Sequence, residues 1–233
     1  MKSQIQRLSP KNEFFIVNFL FFAFPIYNSS KGLYYGATYN QPTIITNYNV
    51  AILLLFEVLV LLAVFSILAL RGYSKNSLEL NMDANSTLYG LWLIMKCYLS
   101  VVVFLYLPAA LISLFLYDLT HLFKYLPDFI IDLNIFSIVA LSVINAIFEE
   151  FALIGYLFTA VEKVKSTKLA FAISLGVRLS YHTYQGLGLL GVLICGIVMG
   201  KAYMEKRNLW PLILCHAGLD LIGLAGKKMF FGS

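Results

Sequence analysis

Two adjacent glutamates interrupt a run that is otherwise apolar: Phe148-Glu149-Glu150-Phe151-Ala152-Leu153-Ile154-Gly155-Tyr156-Leu157-Phe158. The surrounding chain places this run in a membrane. It has 233 residues, 60% hydrophobic and 12% charged, with a mean hydropathy of +0.81, whereas a soluble domain carries about 25% charged residues. A carboxylate at membrane depth costs roughly 2.5–3.5 kcal/mol on insertion scales. Two neighbours cost more, because each charge repels the other. Such a pair demands buried partners or a water-filled cavity, and the remaining polar residues are read here as candidates for that role.

The length suits one compact, all-α, polytopic transmembrane bundle. The net charge of +5 is not a nucleic-acid footprint, because the cations sit mainly in short loops between apolar runs, where they set topology. Cys97, Cys195 and Cys215 all lie within apolar segments. Their odd count and wide spacing argue against a disulfide framework or a cysteine-rich zinc site; they read as small buried hydrophobes. Lys2, Arg7 and Lys11 precede an apolar run over 14–27, but no small-x-small cleavage pattern follows. That run is expected to be a first membrane helix rather than a cleaved signal.

In order, spans are expected at 14–27, 49–70, 88–117, 129–160, 169–184, 189–204 and 209–226, about seven in all, with six or eight as alternatives. The segment 28–48 reads as an exposed loop. Glu57 breaks the clearest span and is expected to face the bundle or to snorkel. Lys96 is expected to reach the interface, Pro108 to kink its helix, and His121 to be an interfacial loop residue. Gly186 and Gly188 mark a tight turn, and Gly196 and Gly200 a small-xxx-small contact face. Lys and Arg concentrate on one set of loops, which predicts a multi-pass cell-membrane protein with its N-terminus in the cytoplasm.

The polar residues of the C-terminal half fall on three helices. Arg178 and His182 are four apart, as are His216 and Asp220, so each pair shares a helix face. Glu149 and Glu150 point about 100° apart; one can face a reaction site while the other holds a structural partner. Arg178 is the permanent cation in this set, so a Glu150–Arg178 ion pair is expected. Polar residues that merely hold helices together fit poorly, given the cost of two glutamates, an arginine, two histidines and an aspartate. A proton or ion pathway uses such residues too.

The order of these motifs resembles the CPBP family of intramembrane proteases, which includes type II CAAX prenyl endopeptidases and bacteriocin-processing or immunity proteins. The family pattern is EExxxR, then FxxxH, then HxxxN or HxxxD on separate helices. The resemblance covers roughly 136–224, carried by Glu149-Glu150 before Gly155-Tyr156-Leu157-Phe158, by Tyr181-His182-Thr183-Tyr184-Gln185-Gly186, and by Leu209-Trp210-Pro211-Leu212-Ile213-Leu214-Cys215-His216. Ile154 stands where the family has its arginine, and Arg178 where it has phenylalanine. A cation is lost from the first helix and one is gained on the second, so Arg178 is expected to stand in as the partner of Glu150. The resemblance implies N-terminal membrane helices and loops over 1–128 joined to a catalytic helical core over 129–233 in one integrated domain.

It further implies an intramembrane glutamic-type endopeptidase acting on a membrane-associated peptide or protein within the bilayer, without a cofactor and without nucleic acid. Glu149 and His182 would position and deprotonate water, Glu150 would anchor the site, and His216 would stabilise the oxyanion. Asp220 replaces a common asparagine and would orient His216, because an ionised carboxylate cannot donate a hydrogen bond, or would have to be protonated to donate directly. The residues themselves leave zinc open: Glu149, His182, His216 and Asp220 are a chemically adequate set, although HExxH is absent. A non-catalytic immunity or scaffold protein and a proton- or ion-coupled transporter are the alternative functions. No residue pattern identifies a prenyl group as substrate or sets an oligomeric state.

Overall fold

The computed structural model describes residues 9–39, 43–72, 79–115 and 129–231. His121 lies outside the described residues. The chain forms a helical bundle: α1 (Pro10–Tyr39), α2 (Asn47–Leu70), α3 (Ala84–Val101) running through a π-helical turn (Val102–Tyr106) into α4 (Leu107–Phe115), α5 (Ile135–Glu150) running through a π-helical segment (Phe151–Phe158) into α6 (Thr159–Glu162), α7 (Thr167–Ser180), a 3₁₀ segment (Thr183–Gly188) leading into α8 (Leu189–Lys206), and α9 (Trp210–Phe231). Two short strands, β1 (Thr43–Thr46) and β2 (Phe129–Asp132), pair in parallel and tie the start of α2 to the start of α5.

Four helical stretches are long and apolar enough to cross a membrane: Asn47–Leu70, Ala84–Ser113, Ile135–Glu162 and Thr183–Lys206. The spans expected at 14–27, 169–184 and 209–226 are helical over most of their length without meeting the same measure of length and composition. Local sequence explains where several helices begin. The Thr46, Asp83, Asn134 and Ser166 side chains each accept a hydrogen bond from a backbone N–H of the first turn of α2, α3, α5 and α7, satisfying donors that a helix start leaves open.

Three boundaries differ from expectation. The segment 28–48 is not one loop, because α1 continues to Tyr39. The glutamate helix starts at Ile135 rather than 129, because 129–132 is paired as a strand. The helix carrying Arg178 ends at Ser180, so His182 lies beyond it in a turn. Gly186 permits that turn: its φ of 56° lies in the left-handed region, which a side chain disfavours. The π-helical turn at Val102–Tyr106 ends two residues before Pro108, which cannot donate the hydrogen bond that a regular helix needs there.

The α5–α6 stretch is the axis of the bundle. From Phe148 to Phe158 all residues except Gly155 are buried, as a helix that is apolar on all sides requires. It is packed by α2, α7 and α9, while α3 and α8 pack against α9 and against each other. On α2 the buried residues are Val50, Glu57, Val60, Leu61, Val64 and Leu68, a single stripe facing the bundle. The three cysteines are free, and Cys97 and Cys215 pack with their sulfurs 3.8 Å apart between α3 and α9.

Candidate active site

The site forms where α5 changes from α- to π-helical geometry. A π-helical stretch widens the turn and shifts the register of the residues that follow, and it recurs at functional sites. Here the displaced carbonyls find side-chain donors. Ser174 Oγ of α7 donates to the Leu153 carbonyl (3.0 Å), and Thr159 Oγ1 donates to the Gly155 carbonyl (2.7 Å). The widened segment is thereby fixed against α7, the helix that brings Arg178.

The two glutamates diverge into different surroundings. Glu150 is fully buried. Its Oε1 accepts from Arg178 Nη2 at 2.6 Å and from His216 Nδ1 at 2.7 Å. Glu149 turns to a cavity of about 510 Å³. Its Oε2 accepts from the Tyr181 hydroxyl at 2.7 Å and lies 3.9 Å from His216 Nε2 and 4.0 Å from Arg178 Nη1. One carboxylate thus ties three helices together, and its neighbour faces open space.

The histidines are held from one side each. His182 Nδ1 lies 2.9 Å from the Arg178 carbonyl oxygen. A carbonyl only accepts, so Nδ1 carries the proton and the lone pair of a neutral ring is on Nε2. His182 lines the same cavity as Glu149, and Tyr181 and Tyr184 flank its ring, at centroid distances of 4.6 and 6.1 Å. His216 donates from Nδ1 to Glu150, and its Nε2 is 3.5 Å from Asp220 Oδ2. Asp220 also accepts from Asn145 Nδ2 at 3.4 Å and lines the cavity.

More distant contacts position these groups. Ser29 of α1 bonds the Thr183 hydroxyl (2.9 Å) and accepts from the Tyr184 N–H (3.2 Å), fixing the turn that follows His182. Asn208 accepts from the backbone N–H of Asn81 and Trp210 and donates to the Asn81 carbonyl. The start of α9, and with it His216, is thereby locked to the start of α3. Arg207 makes a two-pronged ion pair with Glu162 (2.5 and 2.7 Å), joining the end of α8 to the end of α6.

All six residues singled out in the sequence (Glu149, Glu150, Arg178, His182, His216 and Asp220) therefore meet in one region. Three contacts do not follow from the motifs: Tyr181 on Glu149, Glu150 on His216, and Glu57 at the cavity. Tyr181 directly precedes His182, and Glu57 is the lone charge of its span. Nothing in the sequence distinguished the Glu150–His216 contact. Among the described residues no group of three His, Cys, Asp or Glu side chains is arranged to hold a metal ion.

Over residues 131–222 the chain matches the family model described as type II CAAX prenyl endopeptidase, Rce1-like. This segment is similar to the type II CAAX prenyl endopeptidases of the CPBP family. The match spans less than half of the chain and contains Glu149, Glu150, Arg178, His182, His216 and Asp220, whereas Ser29 and Glu57 lie outside it. No curated protein and no solved structure matches the chain. The family named by that description is one of membrane-bound proteases, and the likeness of this chain to it is confined to 131–222. Within the matched segment Ile154 is buried among apolar side chains, and Arg178 fills the ion-pairing position beside Glu150.

Proposed function

We propose that this chain is an intramembrane endopeptidase that hydrolyses a peptide bond of a membrane-associated peptide or protein with a water activated by Glu149 and His182. The reading rests chiefly on one observation: Glu149 and His182 line a single cavity, the first steadied by Tyr181 and the second presenting Nε2. Water held between them gives its proton to Glu149 as its oxygen attacks the substrate carbonyl. Such positioned base catalysis contributes typically ~10²–10⁴-fold. The oxyanion receives a hydrogen bond from His216 Nε2–H, with Nδ1 kept on Glu150. Collapse of the tetrahedral intermediate returns the proton from Glu149 to the leaving amine, so the site ends as it began.

Glu150 and Arg178 act as positioning residues: they fix His216 and the rotation of α5 against α7. Asp220 orients His216 from the cavity side. No step draws on a metal ion, so cleavage is expected to survive a strong chelator and exhaustive metal removal. Loss of cleavage on metal removal with recovery on added zinc would replace this mechanism with one built on Glu149, His182, His216 and Asp220.

The decisive experiment is comparative peptidomics of membranes containing wild-type or Glu149→Gln protein at matched abundance. Wild type is expected to generate peptides that are absent, or reduced by about 10²-fold or more, with the variant. Identical peptide profiles, together with a phenotype retained by Glu149→Gln, would instead identify a binding protein.

A further inference from the structure

Glu57 plays no part in the mechanism above. It is the one charge on α2, and the stripe through Val50, Glu57 and Val64 turns it inward. The residue is 2% exposed, and it lines the 510 Å³ cavity with Glu149 and Asp220. Glu149 is held by Tyr181, and Asp220 by Asn145 and His216. Glu57 Oε2 has no hydrogen-bond partner among the described residues. Among the described residues no lysine or arginine lines this cavity; Arg178 borders a smaller, adjoining cavity. Three carboxyl side chains therefore line this cavity, and one buried oxygen of Glu57 is unmatched.

A buried carboxylate without a partner is strongly unfavourable. A cation arriving with the bound molecule removes that penalty, and the aromatic rings lining the cavity, Phe24 and Phe148 among them, offer faces that favour a cation further. We infer that Glu57 is the cation-recognition group of the substrate cavity, and that the chain acts on peptides carrying a lysine or arginine beside the bond to be cut. This inference rests on the peptidase reading above. It also bears on substrate class within the CAAX-type family. A C-a-a-X segment ends in the C-terminal carboxylate, for which this carboxyl-lined cavity offers no lysine or arginine among the described residues, whereas an internal basic segment finds a carboxyl partner. Glu57 lies outside 131–222, so this preference would come from the N-terminal helices rather than from the segment shared with the family.

The test measures binding and cleavage separately. Full-length protein in phosphatidylcholine nanodiscs is titrated with three leucine-rich octapeptides: one amidated with a central lysine, its norleucine isostere, and the norleucine peptide with a free C-terminal carboxylate. Empty discs provide the background. Wild type is expected to bind the lysine peptide at least about tenfold more tightly than the norleucine peptide, as a charge-assisted hydrogen bond supplies, and the carboxylate peptide most weakly. In Glu57→Gln the lysine advantage should fall to about twofold or less. A wild-type lysine advantage near one overturns the inference without any variant, and an advantage undiminished in Glu57→Gln, or in Glu57→Leu should the first variant fail to fold, overturns it as well. Lysine preference without Glu149-dependent cleavage would leave recognition standing and remove the peptidase reading. Cleavage without lysine preference would do the reverse.

Discussion

At the scale of single residues, the exchange of Ile154 and Arg178 relative to the family pattern has a physical consequence that can be tested by reversing it. Arg178 Nη2 sits 2.6 Å from a fully buried Glu150 oxygen. Removing one partner of a buried pair leaves the other charge uncompensated and costs about 3–5 kcal/mol. Arg178→Phe is therefore expected to lower unfolding stability in detergent by about that amount and to abolish cleavage. Ile154→Arg lies one turn beyond Glu150 on the same helix. Adding it to Arg178→Phe restores the family arrangement and should recover part of both stability and activity. A double variant no better than Arg178→Phe, or an Arg178→Phe protein with full activity and stability, would rule out the substitution of one arginine for the other. Tyr181→Phe makes a finer probe. It removes a 2.7 Å donor from Glu149 while keeping the ring that stacks on Phe22. The expected result is a loss of about tenfold or more in kcat, the cost of one charge-assisted hydrogen bond, with KM little changed. An equal change in KM would mean that Tyr181 holds substrate rather than the base.

At the scale of elements, the contact between α7 and α8 depends on two glycines. A Cβ at Gly196 would lie 2.7 Å from Leu175 Cδ1, and one at Gly200 would overlap the ring of Phe171. Small residues four apart let two helix backbones approach, which is how membrane helices associate in the absence of a hydrophobic drive between them. Gly196→Ala together with Gly200→Ala is expected to destabilise the bundle by about 1–3 kcal/mol per site through overpacking, read as a lowered detergent-unfolding midpoint; an unchanged midpoint would mean that α7 and α8 adjust freely. This contact was legible in the sequence because small-xxx-small spacing has a direct geometric meaning. So were the helical runs, because hydropathy reports them without reference to partners. The π-helical passage through Phe151–Phe158 was not legible. Its sequence differs in no way from a regular apolar helix, and its stability depends on hydroxyls from Ser174 and Thr159. The strand pair was equally hidden, since four-residue segments take their structure from each other. Glu57 was visible as a charge, but on a helix apolar all round no periodicity reveals which side faces inward.

At the scale of the whole molecule, the site is not a property of the shared segment alone. The cavity that receives Glu149 and His182 is closed by Phe21, Phe22 and Phe24 of α1 and by Glu57 of α2. Phe21 packs edge-on against Phe148 and Phe151, Phe22 stacks on Tyr181, and Ser29 fixes the turn after His182. The Glu13–Arg71 ion pair, 2.7 Å, joins α1 to the end of α2, so these two helices support the site together. The 129–233 portion therefore lacks one wall of its own cavity when separated from 1–128. Expressed alone, 129–233 is expected to be readily proteolysed in the membrane and to give no Glu149-dependent peptides. Co-expression with a separate 1–128 fragment should restore both protease resistance and cleavage, because the contacts across this boundary, the β1–β2 ladder and the side-chain packing alike, are non-covalent and do not require the peptide bond. Full activity of 129–233 by itself would mean that α1 and α2 only shield a self-sufficient core. Restoration by 1–128 carrying Glu57→Gln, with the lysine preference lost, would separate the support that α1 and α2 give the catalytic residues from the recognition that α2 adds.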